Sequence, residues 1–295
     1  MSEDAVISLR GVIKRFRNAQ GDPFTVLDGV TLDVYPGETV VLMGGSGCGK
    51  STLLNCMIAE YEIDGGQIVY QMKGFDEPID LASATADQLT RLRKRIGVLF
   101  QSGALFNSMN VAENVALPLQ EHSYVDPNIV DIMVTMKLQL VRMLEHREKM
   151  PAQLSGGQKK RAGLARALAL DPDVLFYDEP SAGLDPVTSA AIDELMIDLS
   201  KKLSVTSVVV THEMDSAFRI ADRMVMLEKG RVLREGPRSE FEAIRDADPA
   251  TLERADERLI HQFLTGSPEG PLTDMAGLSE YEKMIGVSMG GNAGG

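Results

Sequence analysis

The 295-residue chain is 44% hydrophobic and 25% charged, with a formal net charge of −13, a balance that suits a globular protein. No apolar run approaches the ~18 residues needed to cross a bilayer, and the acidic excess argues against binding a nucleic-acid backbone or inserting directly at an anionic membrane. Cys48 and Cys56 are the only cysteines; with an acidic Ser2-Glu3-Asp4 start in place of a signal peptide, they point to a reducing, cytosolic setting.

Residues 6 to 34 read as antiparallel strands: Val30, Leu32 and Val34 alternate with Thr31 and Asp33, the period of a half-buried strand. A turn-rich loop, Asn18 to Pro23, divides them. Phe16 stands just before it, where its ring either stacks on a nucleotide base or packs on neighbouring strand residues. Pro36-Gly37 then turns into Thr39 to Met43, a short apolar run expected to be a buried strand. It feeds Gly44-Gly45-Ser46-Gly47-Cys48-Gly49-Lys50-Ser51, which fits the phosphate-binding G-x-x-x-x-G-K-[ST] loop. Thr52 to Met57 continue with helix-forming character. A strand entering a glycine turn that opens a helix aims several N–H groups and a positive dipole end at one point. Lys50 is placed to reach phosphate oxygens and the Ser51 hydroxyl to bind Mg²⁺.

Further along, Gln67 to Met72 is a strand, and the basic run Arg91 to Arg95 is read as a solvated helix face. Ile96 to Gln101 is a strand ending in a polar residue. Residues 102 to 170 are expected to be mainly helical. Asp126-Pro127 caps a helix whose Ile129, Ile132, Met133, Met136 and Leu140 share one face, predicted to be core. Leu154-Ser155-Gly156-Gly157-Gln158 opens another helix, a second anion-binding N-terminus. Val174 to Tyr177 is a buried strand ending in Asp178-Glu179. The first carboxylate is placed to hold Mg²⁺ through its water shell and the second to polarise an attacking water. Asp185-Pro186 starts a helix, and Val205 to Val210 is a strand ending at Thr211-His212. Met224 to Leu227 and Val232-Leu233 form a hairpin across Lys229-Gly230.

The ordered set of Gly44 to Ser51, Gln101, Leu154 to Gln158, Asp178-Glu179, Ala182 to Asp185 and His212 resembles the nucleotide-binding subunits of ATP-binding-cassette transporters, over residues 6 to 238. The resemblance implies an α/β fold: a P-loop NTPase (RecA-like) core with an antiparallel β subdomain (1–102 and 172–238), an inserted helical subdomain (103–171) and a C-terminal extension (239–295). It implies a head-to-tail homodimer burying two ATP molecules, each between one P-loop and the other copy's Ser155, Gly156, Gly157 and Gln158. By motif position Phe16 stacks on adenine, and Gly44 through Thr52, with Lys50 foremost, cradle phosphates. Ser51 and Gln101 coordinate Mg²⁺ and Asp178 supports its water shell. Glu179 is the general base, His212 contacts the γ-phosphate and Asp185 connects the two sites.

Leu99 to His122 and Phe263 to Leu272 are similar to the ATPases of Mce-type lipid transporters, a group that includes the bacterial system maintaining outer-membrane lipid asymmetry. That likeness implies an integral-membrane permease, a Mce-domain lipid-binding subunit, and a place on the cytoplasmic face of the inner membrane. Gln158 departs from the methionine often found in that group. The alternatives are the ATPase of an amino-acid-type or other small-solute importer, and a DNA-maintenance ATPase. Only about fifty residues separate Gln101 from Leu154, without sustained heptads, where the latter needs a long coiled coil. A P-loop kinase leaves Leu154 to Gln158 unexplained.

Residues 239 to 295 hold more than half of the chain's net negative charge. Asp248-Pro249 is expected to start a helix bearing Leu252, Ala255, Leu259, Ile260, Phe263 and Leu264 on one stripe, stopped by Gly266. Beyond it, Leu272, Met275, Leu278, Tyr281, Met284 and Ile285 have too little area to fold alone. They are expected to reach the other ATPase copy before a disordered Gly290-to-Gly295 end.

Overall fold

The computed structural model describes residues 5–122, 126–268 and 270–272. The chain divides into two compact units, Met1–Glu235 and Gly236–Gly295. The first begins with β1 (Ile7–Arg17) and β2 (Pro23–Val34), which pair antiparallel, with Phe16 opposite Phe24. Then come β3 (Thr39–Met43), α1 (Lys50–Met57), β4 (Gly65–Tyr70), β5 (Ile79–Asp80), α2 (Ala86–Arg93) and β6 (Ile96–Leu99). Three helices follow: α3 (Val111–His122), α4 (Pro127–Leu140) and α5 (Gly156–Ala167). The chain returns through β7 (Val174–Asp178), α6 (Pro186–Leu203), β8 (Thr206–Val210), α7 (Met214–Ile220), β9 (Arg223–Glu228) and β10 (Arg231–Pro237).

Two sheets result. One has the order β2-β1-β4-β5, the other β10-β9-β3-β8-β7-β6. In the second, β3, β6, β7, β8 and β9 pair in parallel. Strands of such a sheet are covered on both faces, which is why every residue of β3 and β8 is buried and why Val40 to Met43 and Val208 to Val210 are apolar runs. Leu53, Leu54 and Met57 of α1 belong to one buried cluster with Ile7 and Leu32 from the first sheet and Val40, Phe176 and Val208 from the second. Tyr70 seals it, donating its hydroxyl to the Met57 carbonyl at 2.6 Å. The β9–β10 turn is the expected Lys229-Gly230 pair, both at positive φ (47° and 76°), the geometry of a two-residue hairpin.

Helix α4 corrects one expectation. Asp126 caps it as predicted, accepting from the Asn128 N–H at 2.8 Å with Pro127 at the first position. The stripe read as core faces outward, however: Ile129, Ile132 and Met136 are 50%, 59% and 58% exposed. Val130, Val134 and Leu138, spaced by four, are the buried face, and Lys137 joins them by pairing with Asp171. The helix carries two apolar stripes, and α3 and α5 cover the narrower one.

A buried polar cluster fixes α7 to α6. Asp193, fully buried on α6, accepts hydrogen bonds from Ser216 and, at 2.5 Å, from Arg219. Burial outweighs these partners, so the Asp193 carboxyl is held above its ordinary value. A raised carboxyl favours the folded state most when protonated, so its contribution is largest at acidic pH and is lost as pH rises through the folded value. Arg219→Ala leaves that carboxyl without its cation. Because Arg219 is 41% exposed, the cost falls at the low end for breaking such a pair, about 3 kcal/mol, lowering Tm by about 6–10 °C. The Tm loss should be larger at about pH 8 than at about pH 5; a loss independent of pH would contradict this account of the cluster.

In the second unit, α8 (Arg238–Asp246) packs on α9 (Ala255–Thr265). The expected α9 start at Asp248 is wrong by one element. Asp248 caps only a single 3₁₀ turn, Pro249–Thr251, and accepts from the Ala250 N–H at 3.0 Å. The helix proper opens at Ala255, where Asp256 and Glu257 meet the positive dipole end. Ile260 and Leu264 are buried, Leu252, Leu259 and Phe263 half-buried, and Ala255 exposed. Gly266 stops the helix at φ 65°. Of the residues expected to reach the second copy, Leu272 is half-buried and its N–H donates to Gln262 Oε1 at 2.7 Å, whereas Met275 to Ile285 and the Gly290-to-Gly295 end lie outside the described residues.

Candidate active site

The order β3-β8-β7-β6 brings four loop-carrying strand ends to one edge of the parallel sheet. Leu42 is level with Val210, Val210 with Asp178, and Tyr177 with Leu99. The loops that follow carry Gly44–Ser51, Thr211-His212, Glu179 and Gln101. Ligands bind an open parallel sheet at this carboxyl edge. An open cleft of about 510 Å³ there is lined by Phe100, Gln101, Ser102, Asp178, Ala182 and Gly183.

The glycine loop needs its glycines. Gly44 has φ 145°, and a Cβ there would sit 2.2 Å from the Leu227 carbonyl oxygen. Gly49 caps α1 at φ 108°, and a Cβ would meet Leu27 Cδ2 at 2.9 Å and the Val26 carbonyl at 3.1 Å. The loop is therefore clamped between β9 and β2 with no room for side chains at those two points. Lys50 folds over the loop and donates to the Gly44 and Gly45 carbonyls at 2.7 and 3.0 Å. Ser46, Gly47 and Ser51 are exposed, Gly45 and Thr52 half-buried, and Cys48 buried, which pushes its thiol up despite nearby Lys50. Phe16 belongs to an aromatic cluster, its ring 6.2 Å from Phe24 and edge-on to Tyr61 at 5.6 Å. That cluster stands two residues along β2 from Val26, which abuts Gly49.

Asp178 ends β7, and its carboxyl is raised by burial and then by the neighbouring Glu179 charge, against the opposing pull of Lys160. Glu179 adopts φ 49°, a left-handed conformation that costs a non-glycine residue about 1–3 kcal/mol. Its N–H donates to the Val210 carbonyl at 2.9 Å. Its carboxylate, only 13% exposed, lies 2.8 Å from His212 Nδ1 and accepts the His212 N–H at 3.4 Å. Glu179 follows β7 and His212 follows β8, the strand between β7 and the P-loop strand β3.

Ser155 and Gln158 form a reciprocal cap on α5: Ser155 Oγ accepts the Gln158 N–H at 3.3 Å, and Gln158 Oε1 accepts the Ser155 N–H at 2.9 Å. This fixes the amide's orientation, so its NH₂ group faces His146 Nε2 at 3.0 Å and that ring nitrogen must accept. Gly157 is buried and a Cβ there would meet Thr188 Cγ2 at 2.5 Å, holding α5 close to α6. Asp185 caps α6, accepting from the Thr188 hydroxyl at 2.6 Å and from the Val187 and Thr188 N–H groups. Those bonds, the hydroxyl's first, hold its carboxyl below the ordinary range. Within one copy the P-loop, Gln101, Asp178, Glu179 and His212 share the sheet edge, whereas Ser155 to Gln158 stand at the head of α5 in the inserted helices.

Two residues were not legible as site components. Lys160, 4% exposed, donates to the Glu179 carbonyl at 2.8 Å, and burial lowers its pKa against the pull of Asp178, Glu179 and Glu213. Asn114, fully buried, staples the loop after Gln101. It accepts the Phe106 N–H at 2.8 Å and donates to the carbonyls of Phe106, Met109 and Asn110. Nothing in the spacing of a lone lysine or asparagine marks either role.

Comparison with known proteins follows the same lines. The ABC transporter family pattern matches residues 27–182. The chain is 37% identical over 280 residues to the probable ribonucleotide transport ATP-binding protein mkl of Mycobacterium leprae (strain TN), covering 95% of this chain and 73% of the relative. It is 34% identical over 273 residues to the intermembrane phospholipid transport system ATP-binding protein MlaF of Haemophilus influenzae, 92% of this chain and 97% of the relative. The MlaF protein of Escherichia coli (strain K12) is 36% identical over 247 residues, 84% and 86%. Among solved structures, the ATP-binding cassette MJ0796, a dimer in a post-hydrolysis state with ADP and Pi, superposes with TM-score 0.70 at 31% identity, over 78% of this chain and 98% of that one. The cbiO1 protein of Clostridium perfringens, part of the ABC transporter complex cbiONQ, superposes with TM-score 0.72 at 27% identity, 87% and 99%. The P-loop at the carboxyl edge of a parallel sheet thus comes with family identity above 30% along most of the chain, which belongs to the ABC transporter family as one of its ATPase subunits.

Proposed function

We propose that this subunit works as a homodimer on the cytoplasmic face of the inner membrane, closing on ATP to drive phospholipid transport through an integral-membrane permease with a Mce-domain lipid-binding subunit. The observation that carries the hydrolytic part is Glu179, at the end of a buried strand in a strained conformation and bonded to His212. In this reading Phe16 stacks on adenine, and the N–H groups of Gly45 to Thr52 with the Lys50 ammonium hold the phosphates. Ser51 and Gln101 offer neutral oxygen donors and Asp178 an anionic one, the donor set that suits Mg²⁺. When bound, that ion would offset the negative charge of the phosphates. Glu179 takes a proton from the attacking water as its oxygen bonds to the γ-phosphorus and the bond to ADP breaks. His212 turns from the carboxylate to the γ-phosphate. The second copy's helix head, Ser155 to Gln158, adds its Gly156 and Gly157 N–H groups to the same phosphate, and Asp185 relays between the sites.

The substrate assignment rests on the MlaF relatives, which match over most of their own length, together with the Leu99-to-His122 segment. The ribonucleotide-transport relative favours a second reading, a small-solute system. Purifying the intact complex from native membranes and identifying its proteins and bound lipids decides between them. A Mce-type permease carrying phospholipid supports the first reading, and an amino-acid or nucleotide permease refutes it.

The permease is proposed to dock beside Gln101 to Pro118. Phe106 is 51% exposed, with the Arg166 guanidinium 5.7 Å from its ring centre, and Asn114 holds its loop rigid. Leu105 and Met109 are half-buried; Val111 is fully buried and so is not part of the docking face. Phe106→Asp should leave ATP binding unchanged and weaken co-purification of the permease by about 10-fold or more, as loss of an aromatic anchor does. Undiminished assembly would place the permease elsewhere.

A further inference from the structure

We propose that Lys160 is a positioning residue for hydrolysis, tying the helix headed by Ser155 to Gln158 to the backbone of the general base in the same subunit. The inference rests on the reading of Glu179 as that base. A lysine is almost never buried without a partner, yet Lys160 is 4% exposed and sends its ammonium to one main-chain carbonyl, that of Glu179, at 2.8 Å.

The peptide it holds is the strained one. Glu179 sits at φ 49°, a conformation that persists only where its surroundings over-determine it. Three groups do so. The Val210 carbonyl fixes the Glu179 N–H, His212 holds the carboxylate, and Lys160 holds the carbonyl. Without Lys160 that carbonyl keeps a longer bond, from the Ala182 N–H at 3.3 Å. Of the three, only Lys160 comes from the inserted helices.

Its place on α5 gives the bond a second consequence. Lys160 lies five residues beyond Ser155, about 7.5 Å along a rigid helix. A displacement at the Ser155–Gln158 head therefore moves the ammonium and, through it, the peptide bearing Glu179. The head of α5 engages the nucleotide bound mainly by the other copy. Lys160 thus lets one site's occupancy set the base's orientation in the other, with no contact between Lys160 and substrate.

The test uses the full-length chain assembled with its membrane partners. Lys160→Met, Lys160→Arg, Glu179→Gln and the Lys160→Met/Glu179→Gln pair are compared for kcat, KM and Mg-ATP binding. A base misplaced by about 1 Å costs about 10²-fold, so Lys160→Met should lower kcat by that order while leaving KM and ATP affinity near wild type. Lys160→Arg keeps a donor for the carbonyl and should recover most of the rate. In the Glu179→Gln background, Lys160→Met should cost nothing further, because both act through one group. Lys160→Gln carries the same test if Lys160→Met does not fold. A normal kcat in Lys160→Met beside an inactive Glu179→Gln overturns this assignment alone, as does a full additive loss in the pair. A wild-type rate in Glu179→Gln removes the base reading itself.

Discussion

Glu179→Gln should bind ATP, lose turnover by about 10²- to 10⁴-fold, and accumulate as an ATP-bound closed dimer. The substitution keeps the side chain's length and an acceptor for the His212 N–H, while removing the atom that takes the proton. The backbone should hold, because the left-handed peptide is fixed by Val210 and Lys160 through main-chain groups. Stability measured by thermal melting should therefore barely change while phosphate release falls. Near wild-type hydrolysis in the assembled complex would assign the proton transfer to another group.

Lys50→Ala should remove the step before. The Lys50 ammonium is satisfied by the Gly44 and Gly45 carbonyls, so the loop itself holds it at the point where phosphate oxygens meet the helix end. Charge-assisted hydrogen bonds contribute about 1.5–3 kcal/mol each, and losing them should weaken ATP binding about 10²-fold. The same variant loses the bonds that brace the loop, so a modest drop in melting temperature is expected as well. Measured ATP affinity within a factor of about two of wild type would mean that the phosphates sit elsewhere.

Much of this was legible in the chain because the physics is local. Val40 to Met43, Val174 to Tyr177 and Val208 to Val210 are apolar runs followed at once by a glycine, an aspartate and a threonine. Strands buried on both faces must look that way, and their carboxyl ends must carry the polar residues. Gly266 and Asp126 likewise act through their own backbone neighbourhoods. What escaped depends on packing between distant elements. On α4, Ile129, Ile132 and Met136 and the rival set Val130, Val134 and Leu138 both satisfy helical spacing, and only the placement of α3 and α5 selects one. Lys160 looks like any solvated lysine until β7 brings the Glu179 carbonyl to its end. His146 behaves similarly, for its meeting with Gln158 depends on the fold of the intervening turns.

The central claim is that ATP hydrolysis at this carboxyl edge moves phospholipid. The most direct measurement reconstitutes the purified complex in liposomes and follows labelled phospholipid leaving or entering them with Mg-ATP, for the wild type and Glu179→Gln. The account predicts ATP-dependent phospholipid movement in the wild type and almost none in Glu179→Gln. Phospholipid movement at equal rates in both, or ATP-driven movement of a small solute with phospholipid left in place, would contradict it.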